Sequence, residues 1–552
     1  MKRPEDAIRA PTERSSQRDL AKRRALGGTL ALLLTASAPL AACNLDNPGV
    51  SAPEGTISYP VAVALSREER PRHLYVANSN FDLAFSAGSV QSYDLDRLVQ
   101  AIDQQGCRAL ERGTVMLDGG VLVVPDQTGA GPVTSDAGVG DDAGTVDAVP
   151  PGSIALPPDY TATSGYKNAR GVLCDGRDPA AWQFDPSEVA RRGALPPRVR
   201  CCFEERNLID DLRRSEQPID SFATGLAVSP TNDRVYVPVS SRARLLYLDA
   251  NADGTLGCGG ETGRCRRGPA PGDADDDPNE KFPGQPASLL VGTLGQLGAT
   301  TGAGAPDGTT FIATAHELGG FALFVDRGTP VLESAVTGLP LRPTGLTLNP
   351  TERLLYLATA GDINYLSRLG VRFTPTGTEG EAAPRELLFR TSQVTVTGFA
   401  QSRDIRDVAF DPRHPERLYA LVRGLQESLA FLEHDPSVSS NARLVDAVRL
   451  GAGPSKVEYV DIDGRGFLLV SCYDARSVFV IDADRRAVVG VVRNLAGPFE
   501  MTYDAARKLL FVADFRASVV RVVDLAGVTD KREPPPRIIA TLGLPRFSGG
   551  LQ

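Results

Sequence analysis

Asp249-Ala-Asn251-Ala-Asp253-Gly254 sets three oxygen-bearing side chains at alternate positions ahead of a glycine. Oxygens spaced in this way can converge on one calcium ion, and the glycine permits the sharp turn of such a loop. A full calcium loop takes a bidentate Glu at its twelfth position. Here that position is Gly260, with Glu261 one residue later. Asp and Asn after a strand are also good turn formers. The segment therefore supports two readings: Ca2+ held by Asp249, Asn251 and Asp253, or a plain turn. A second constellation is Arg406, Asp407, Lys456 and Glu500, which fall near the starts of successive apolar segments, where Thr224 and Thr344 hold equivalent positions. Mixed charges converging on one rim can orient a polar ligand. They can equally pair with one another and fix the packing of their segments.

Other chemistry is poorly represented. The histidines are His73, His316, His414 and His434. His73 and His414 read as exposed turn residues, and His316 as able to reach a loop surface. A copper or zinc enzyme needs several histidines at matching positions. The sequence has no G-x-S-x-G elbow, C-x-x-C-H haem signature or C-x-x-C zinc pattern. The glycine-rich run 292–308 lacks the lysine of a phosphate loop and reads as loop.

The elements that must position these residues repeat. From Gly453 the chain reads GPSKVEYVDIDGRGFLLVSCYDARSVFVIDADRRAVVGVV, and from Gly497 GPFEMTYDAARKLLFVADFRASVVRVVDL. A period of about 40–45 residues with about four short strands is the pattern of a propeller blade. One such unit cannot bury its own apolar faces, so neighbours must stack. Earlier units read YPVAVALS with HLYVANS, TGLAVSPTNDRVYVPVS, ASLLVGTL with TTFIATAHE, PTGLTLNPTERLLYLATA, and IRDVAFDPRHPERLYALV. Alternating Val, Ile, Leu and Tyr between Asn-Pro, Asp-Pro and Asp-Gly turns is strand chemistry. The expected fold is all-β, a seven-bladed β-propeller over residues 57–545, with the inner strands lining a central channel.

Tyr75-Val76-Ala77-Asn78 and Phe511-Val512-Ala513-Asp514 resemble the YVTN repeat of bacterial surface and periplasmic propellers, and Ser477–Val492 resembles that family's third and fourth strands. The resemblance is clearest over residues 453–530 and weakest around 285–326. It implies a seven-bladed, WD40-like ring and no single activity. At the level of fold such propellers also resemble lactonase propellers.

Two segments interrupt the repeat. Residues 126–152 are rich in Gly, Ala, Asp and Val, a composition that buries too little apolar surface to offset chain entropy, so disorder is expected. Residues 160–215 hold the only tryptophan, Trp182, three cysteines and a helical pattern near 199–214. They read as a disulfide-tied cap inserted between blades 1 and 2. Cys258 and Cys265 bracket a short glycine-rich loop and are expected to pair. Cys107, Cys174, Cys201 and Cys202 offer two further bridges of undetermined connectivity. Cys472 lies in a strand pattern and is expected buried and unpaired.

The N-terminus reads as an export signal. Lys22-Arg23-Arg24 precede the apolar run Ala25–Leu34 and then Leu40-Ala41-Ala42-Cys43. A basic region, a short apolar region and small residues before a cleavage point mark a secretory signal, and the run is too short to span a bilayer. The cysteine after Leu-Ala-Ala resembles a bacterial lipoprotein signal, which implies removal of residues 1–42, lipidation of Cys43 and a tether over 43–56. The Arg pair leaves a twin-arginine export route open. Asn44 after the cysteine resembles the outer-membrane sorting pattern, which implies a periplasm-facing or surface-exposed cell-envelope protein. The leader carries eight of the 59 basic and four of the 68 acidic residues, so the remainder has a net charge of −13. Such a balance argues against nucleic acid or anionic lipid as a main partner.

The expected role is a lipid-anchored binding or scaffolding module for an envelope protein or glycan. The alternative is a lactonase-like hydrolase working at the channel mouth.

Overall fold

The computed structural model describes residues 56–104 and 212–543, apart from short stretches at 84–86, 261–262, 270–283, 300–307, 362–364, 374–385, 399–403, 425–426, 435–439, 494 and 530–534, together with five two- or three-residue strands between 115 and 174. The signal, the tether and most of the 126–152 and 160–215 segments lie outside the described residues.

The described fold is all-β and propeller-like, built from antiparallel four-stranded sheets in chain order. The first sheet holds β1 (Pro60–Leu65), β2 (His73–Asn78), β3 (Gly88–Asp94) and β4 (Arg213–Ile219). The second holds β5 (Ala227–Val228), β6 (Arg234–Val239), β7 (Arg244–Ala250) and β8 (Leu256–Gly257). The third holds β9 (Pro286–Thr293), β10 (Thr310–His316), β11 (Gly320–Asp326) and β12 (Pro330–Val336). An eight-stranded sheet follows. Its first half is β13 (Pro343–Asn349), β14 (Leu354–Thr359), β15 (Tyr365–Phe373) and β16 (Glu386–Thr397). Its second half is β17 (Asp404–Phe410), β18 (Arg417–Arg423), β19 (Ser428–Glu433) and β20 (Asn441–Arg449). The two antiparallel halves are joined into one sheet where Thr395–Thr397 pair in parallel with Asn441–Arg443. The last two sheets are β21 (Pro454–Ile462), β22 (Arg465–Cys472), β23 (Ser477–Asp482) and β24 (Ala487–Val492), then β25 (Pro498–Asp504), β26 (Leu509–Asp514), β27 (Val519–Asp524) and β28 (Arg537–Leu542).

The alternation along each second strand decides which neighbour a side chain meets. Leu74 and Val76 of β2 pack with Leu509, Phe511 and Ala513 of the last sheet. Tyr75 and Ala77, on the opposite face, pack with Val235, Val237 and Val239 of the second sheet. The same division repeats down the chain. Tyr236 meets Ile312 and Phe324, Phe311 meets Leu355 and Leu357, and Tyr356 meets Phe410 and Leu418. Tyr419 meets Leu468 and Val470, and Phe467 meets Leu510 and Val512. Each apolar cluster thus spans a boundary between neighbouring sheets, and one joins the first sheet to the last. The buried tyrosine hydroxyls are satisfied by acceptors in nearby turns: Tyr236 donates to Asp326 at 2.6 Å, Tyr356 to Glu352 at 2.7 Å, and Tyr419 to Asp411 at 3.2 Å.

The terminal residue of the Tyr-Val-Ala-Asn segment has a defined task. Asn78 ends β2 opposite Pro60, and its Oδ1 accepts the N–H of Ser58 at 3.2 Å. Asp514 ends β26 opposite Pro498 and accepts the N–H of Ala496 at 2.9 Å and of Gly497 at 2.7 Å. His316 ends β10 opposite Pro286, and its Nδ1 bonds the carbonyl of Gly284 at 2.5 Å. In each case one side chain ties down the loop that enters the first strand of its own sheet. A β-bulge near the start of that strand recurs in the first and third sheets, in the last two, and in both halves of the eight-stranded sheet.

The structure revises several expectations. The long insertion leaves after β3 and returns as β4, so it lies inside the first sheet and not between the first two. The fourth strand was not legible because more than a hundred residues separate it from its partner. Its start at Arg213 also replaces the end of the helical pattern near 199–214. An unexpected helix, α1 (Leu95–Gln104), follows β3 and buries Leu95, Leu98 and Ile102 at helical spacing. His73 and His316 are buried, 7% and 0% exposed, because both belong to second strands. Cys258 and Cys265 form a disulfide with Cα atoms 5.7 Å apart. Their loop is held to the first sheet by the Cys265 N–H on the Pro218 carbonyl at 2.8 Å. Cys472 is buried and free. The side chains of Cys107, Cys174, Cys201 and Cys202 lie outside the described residues.

Asp514 carries a testable consequence. It is fully buried and also accepts Arg521 Nε at 3.2 Å. Removing it leaves two backbone donors without their acceptor and takes the carboxylate from the buried Arg521 guanidinium, which keeps Thr541 Oγ1 at 2.6 Å, so Asp514→Ala should cost about 3 kcal/mol in chemical denaturation. Asp514→Asn, which restores the side chain found at position 78, should recover part of that loss.

Candidate functional site

The first strands of several sheets enclose a cavity of about 460 Å³, walled by β1, β5, β21 and β25 with Asp407 from β17. Four ionisable side chains from three successive units meet in it. Lys456 and Glu458 stand two apart on β21 and so share one face. Asp407 comes from β17 and Glu500 from β25. Lys456 Nζ lies 3.5 Å from Glu500 Oε1 and 3.9 Å from Asp407 Oδ2. Asp407 Oδ2 also accepts the Val457 N–H at 3.0 Å. The Lys456 and Glu500 side chains keep 27% exposure and Asp407 only 5%.

Crowding of like and unlike charges moves the titrations apart. Burial disfavours the charged form of Lys456, but the carboxylates of Asp407, Glu500 and Glu458 outweigh it and hold the ammonium above its usual range. Burial raises Asp407, with Lys456 drawing it back. Burial and the Asp407 charge raise Glu500 against the pull of Lys456. Glu458 is the most displaced: burial and repulsion from Glu500 push it up to about 8, against the Tyr503 N–H and Lys456. Its Oε2 has no hydrogen-bond partner. Glu458 therefore carries a proton near neutrality, while Lys456 stays charged between two carboxylates. Chemically the cluster is a fixed cation with a protonated acid beside it, the pairing from which acid–base chemistry can start.

Of the residues singled out in the sequence, Asp407, Lys456 and Glu500 come together. Arg406 does not line the cavity. A bulge between Ile405 and Asp407 breaks the alternation, and the Arg406 guanidinium donates to Asp404 Oδ2 on its own strand, at 2.9 Å from Nε. Thr224 and Thr344 serve packing. Thr224 Oγ1 donates to the Pro286 carbonyl at 2.9 Å and Thr344 Oγ1 to the Ile405 carbonyl at 3.3 Å, each reaching the next unit. Glu458 was overlooked although the period of two from Lys456 pointed to it.

Asp249, Asn251 and Asp253 each hold a partner within or near their turn. Asp249 pairs with Arg267. Asn251 Nδ2 donates to Thr255 Oγ1 at 2.9 Å, and Asp253 Oδ1 accepts the Thr255 N–H at 2.9 Å. The loop is a tight turn closed by its own side chains, and among the described residues no group of three His, Cys, Asp or Glu is placed to hold a metal ion. No described helix is long and apolar enough to cross a membrane.

No family model matches the chain, and no curated protein matches it. Solved structures share part of its backbone course. A candidate 6-phosphogluconolactonase of Bacteroides uniformis is 14% identical, covers 60% of this chain and 90% of its own, and gives a TM-score of 0.39. One of Bacteroides fragilis is 11% identical over 80% of this chain and 86% of its own, at 0.39. Hydrazine synthase of Kuenenia stuttgartiensis is 15% identical over 55% of this chain and 77% of its own, at 0.36. Likeness of this degree assigns neither activity nor substrate.

The raised Glu458 carboxyl gives a signed pH dependence. Its folded-state value lies above its ordinary 4.5, so its stabilising proton is fully present below about 4.5 and lost as pH climbs through about 8. Wild-type stability should fall by a few kcal/mol at most across that window from this group alone. Glu458→Gln should flatten the profile and raise Tm above wild type at pH 9, with little difference at pH 4.

Proposed function

We propose that residues 57–545 form a seven-bladed β-propeller of the YVTN type, held at the cell envelope by a lipid on Cys43, and that it serves as a binding or scaffolding module for a protein or glycan partner. The observation that carries this reading is the pairing of Lys456. Its charge is answered by Asp407 from the preceding unit and Glu500 from the following one, so the polar cluster joins three units instead of holding a free charge ready for substrate. The apolar clusters support the ring, because the one that joins the first sheet to the last supplies the contact a closed circle needs. The leader sequence up to Leu40-Ala41-Ala42-Cys43 supports the anchor, and Asn44 supports sorting to the outer membrane.

A lactonase-like hydrolase is the second reading, favoured by one observation: Glu458 holds its proton near neutrality beside a fixed cation in an open cavity. The Asp249, Asn251 and Asp253 turn is left out of both readings, because Asp249 is engaged by Arg267.

Two measurements separate the possibilities. Cells fed radiolabelled palmitate should label the wild-type chain and not Cys43→Ser; a chain that stays unlabelled contradicts the anchor. A panel of sugar and aliphatic lactones should show no turnover by the binding module. Turnover lost in Glu458→Gln would instead establish the hydrolase.

A further inference from the structure

Eight large hydrophobic side chains stand more than a third exposed among the described residues. Three are valines on fourth strands: Val331, Val488 and Val489. The other five lie at one end of the sheets. Phe81 (59% exposed) and Leu83 (54%) sit in the loop after β2, Leu318 (69%) in the loop after β10, Leu341 (61%) in the loop entering β13, and Phe499 (37%) at the start of β25. A second strand runs antiparallel to the first, so its end lies beside the first strand's beginning, as Pro60 lies beside Asn78. These loops therefore share one face, and backbone bonds knit them across sheets: Phe222 N–H to the Ser79 carbonyl at 2.8 Å and Arg342 N–H to the Glu317 carbonyl at 2.9 Å.

Two of the five belong to a continuous aromatic patch. Phe515 lies 5.6 Å from Phe81, 6.0 Å from Phe499, 5.1 Å from Tyr59 and 6.3 Å from Tyr473, measured between ring centroids. Arginines and acids are mixed among these loops, with exposed Arg242, Arg342 and Arg476 against Asp82, Glu317 and Asp474. The face is thus near neutral on a strongly acidic chain. Rings and leucines flanked by arginines suit the boundary between lipid headgroups and acyl chains.

The chain itself indicates what covers this face. The described residues begin at Thr56, three positions before Tyr59, whose ring is part of the patch. From Cys43 to Thr56 a chain of this length can span at most roughly 45 Å. A lipid on Cys43 would hold the bilayer within that reach of the aromatic end. We infer that this face rests on the membrane: Phe81, Leu83, Leu318, Leu341 and Phe499 insert into the interface of a phospholipid bilayer, and the opposite end, toward which the Glu458 cavity runs through Arg67 and Tyr503, faces away from it. The inference rests on the lipid-anchor reading for its tether, and on the exposed side chains alone for its face.

The test places a bimane label at Leu341→Cys or at Val331→Cys in the otherwise wild-type, palmitate-labelled protein, reconstituted in vesicles of phosphatidylethanolamine and phosphatidylglycerol with brominated acyl chains; the parent chain gives the background. Strong quenching at position 341 with little at 331 is the expected result. Equal quenching, or stronger quenching at 331, overturns the inference even where palmitate incorporation upholds the anchor. The Cys43→Ser chain, which has no lipid, isolates the face. It should co-float weakly with the same vesicles, and Phe81→Ser with Phe499→Ser should reduce the bound fraction about fivefold, whereas Val488→Ser with Val489→Ser should not. Flotation unchanged by the phenylalanine pair contradicts the inference, as does protection of position 341 that appears only with a protein partner.

Discussion

No sheet in this chain can bury both of its apolar faces alone, and the rest of the structure follows from that constraint. A four-stranded sheet with Val, Leu, Ile and aromatic side chains on both faces needs a neighbour on each side. Leu74 and Val76 turn to the last sheet and Tyr75 and Ala77 to the second, so one strand supplies parts of two cores. Burying a side chain of this size is worth about 1.5–3 kcal/mol. Each boundary collects several such residues, which makes the boundary, and not the individual sheet, the unit of stability. The contact between first and last sheets is the least local of these, since its partners lie more than four hundred residues apart. Arg507 reinforces it by donating to the Pro71 carbonyl at 2.9 Å.

Placement of the polar groups follows from the same geometry. Where second strands end, a single side chain must satisfy the loop that enters the first strand, and Asn78, His316 and Asp514 each do so. Different residue types serve because the task asks only for one polar contact: Asn78 and Asp514 accept backbone N–H groups, while His316 Nδ1 donates to a carbonyl. The first strands leave a polar interior where side chains from several units meet without apolar cover. There a lysine can remain charged only if carboxylates surround it, and one carboxyl, Glu458, is left holding a proton.

Much of this was legible in the sequence. The strands, their order and the Cys258–Cys265 bridge follow from period-two alternation, turn residues and short spacing. The signals that were missed share a physical character. A β-bulge adds one residue and exchanges the faces of a strand, and nothing in Asp404-Ile405-Arg406-Asp407 announces it. Hence Asp407 and not Arg406 enters the cavity. Strand β4 pairs with β3 across an insertion of more than a hundred residues, beyond the reach of local pattern. Asp249-Ala-Asn251-Ala-Asp253 reads as a cation loop or as a plain turn, and no local pattern announces that Arg267 pairs with Asp249.

The central claim is that neighbouring sheets stand by sharing one core, including the first with the last. Native-state hydrogen exchange on Phe511→Ala tests it most directly, because Phe511 belongs to the last sheet and packs against Leu74 and Val76 of the first. The substitution should cost about 3–5 kcal/mol. The shared core predicts that amides of residues 74–76 lose protection together with those of residues 509–513. Unchanged protection in the first sheet, with loss confined to the last, would contradict it.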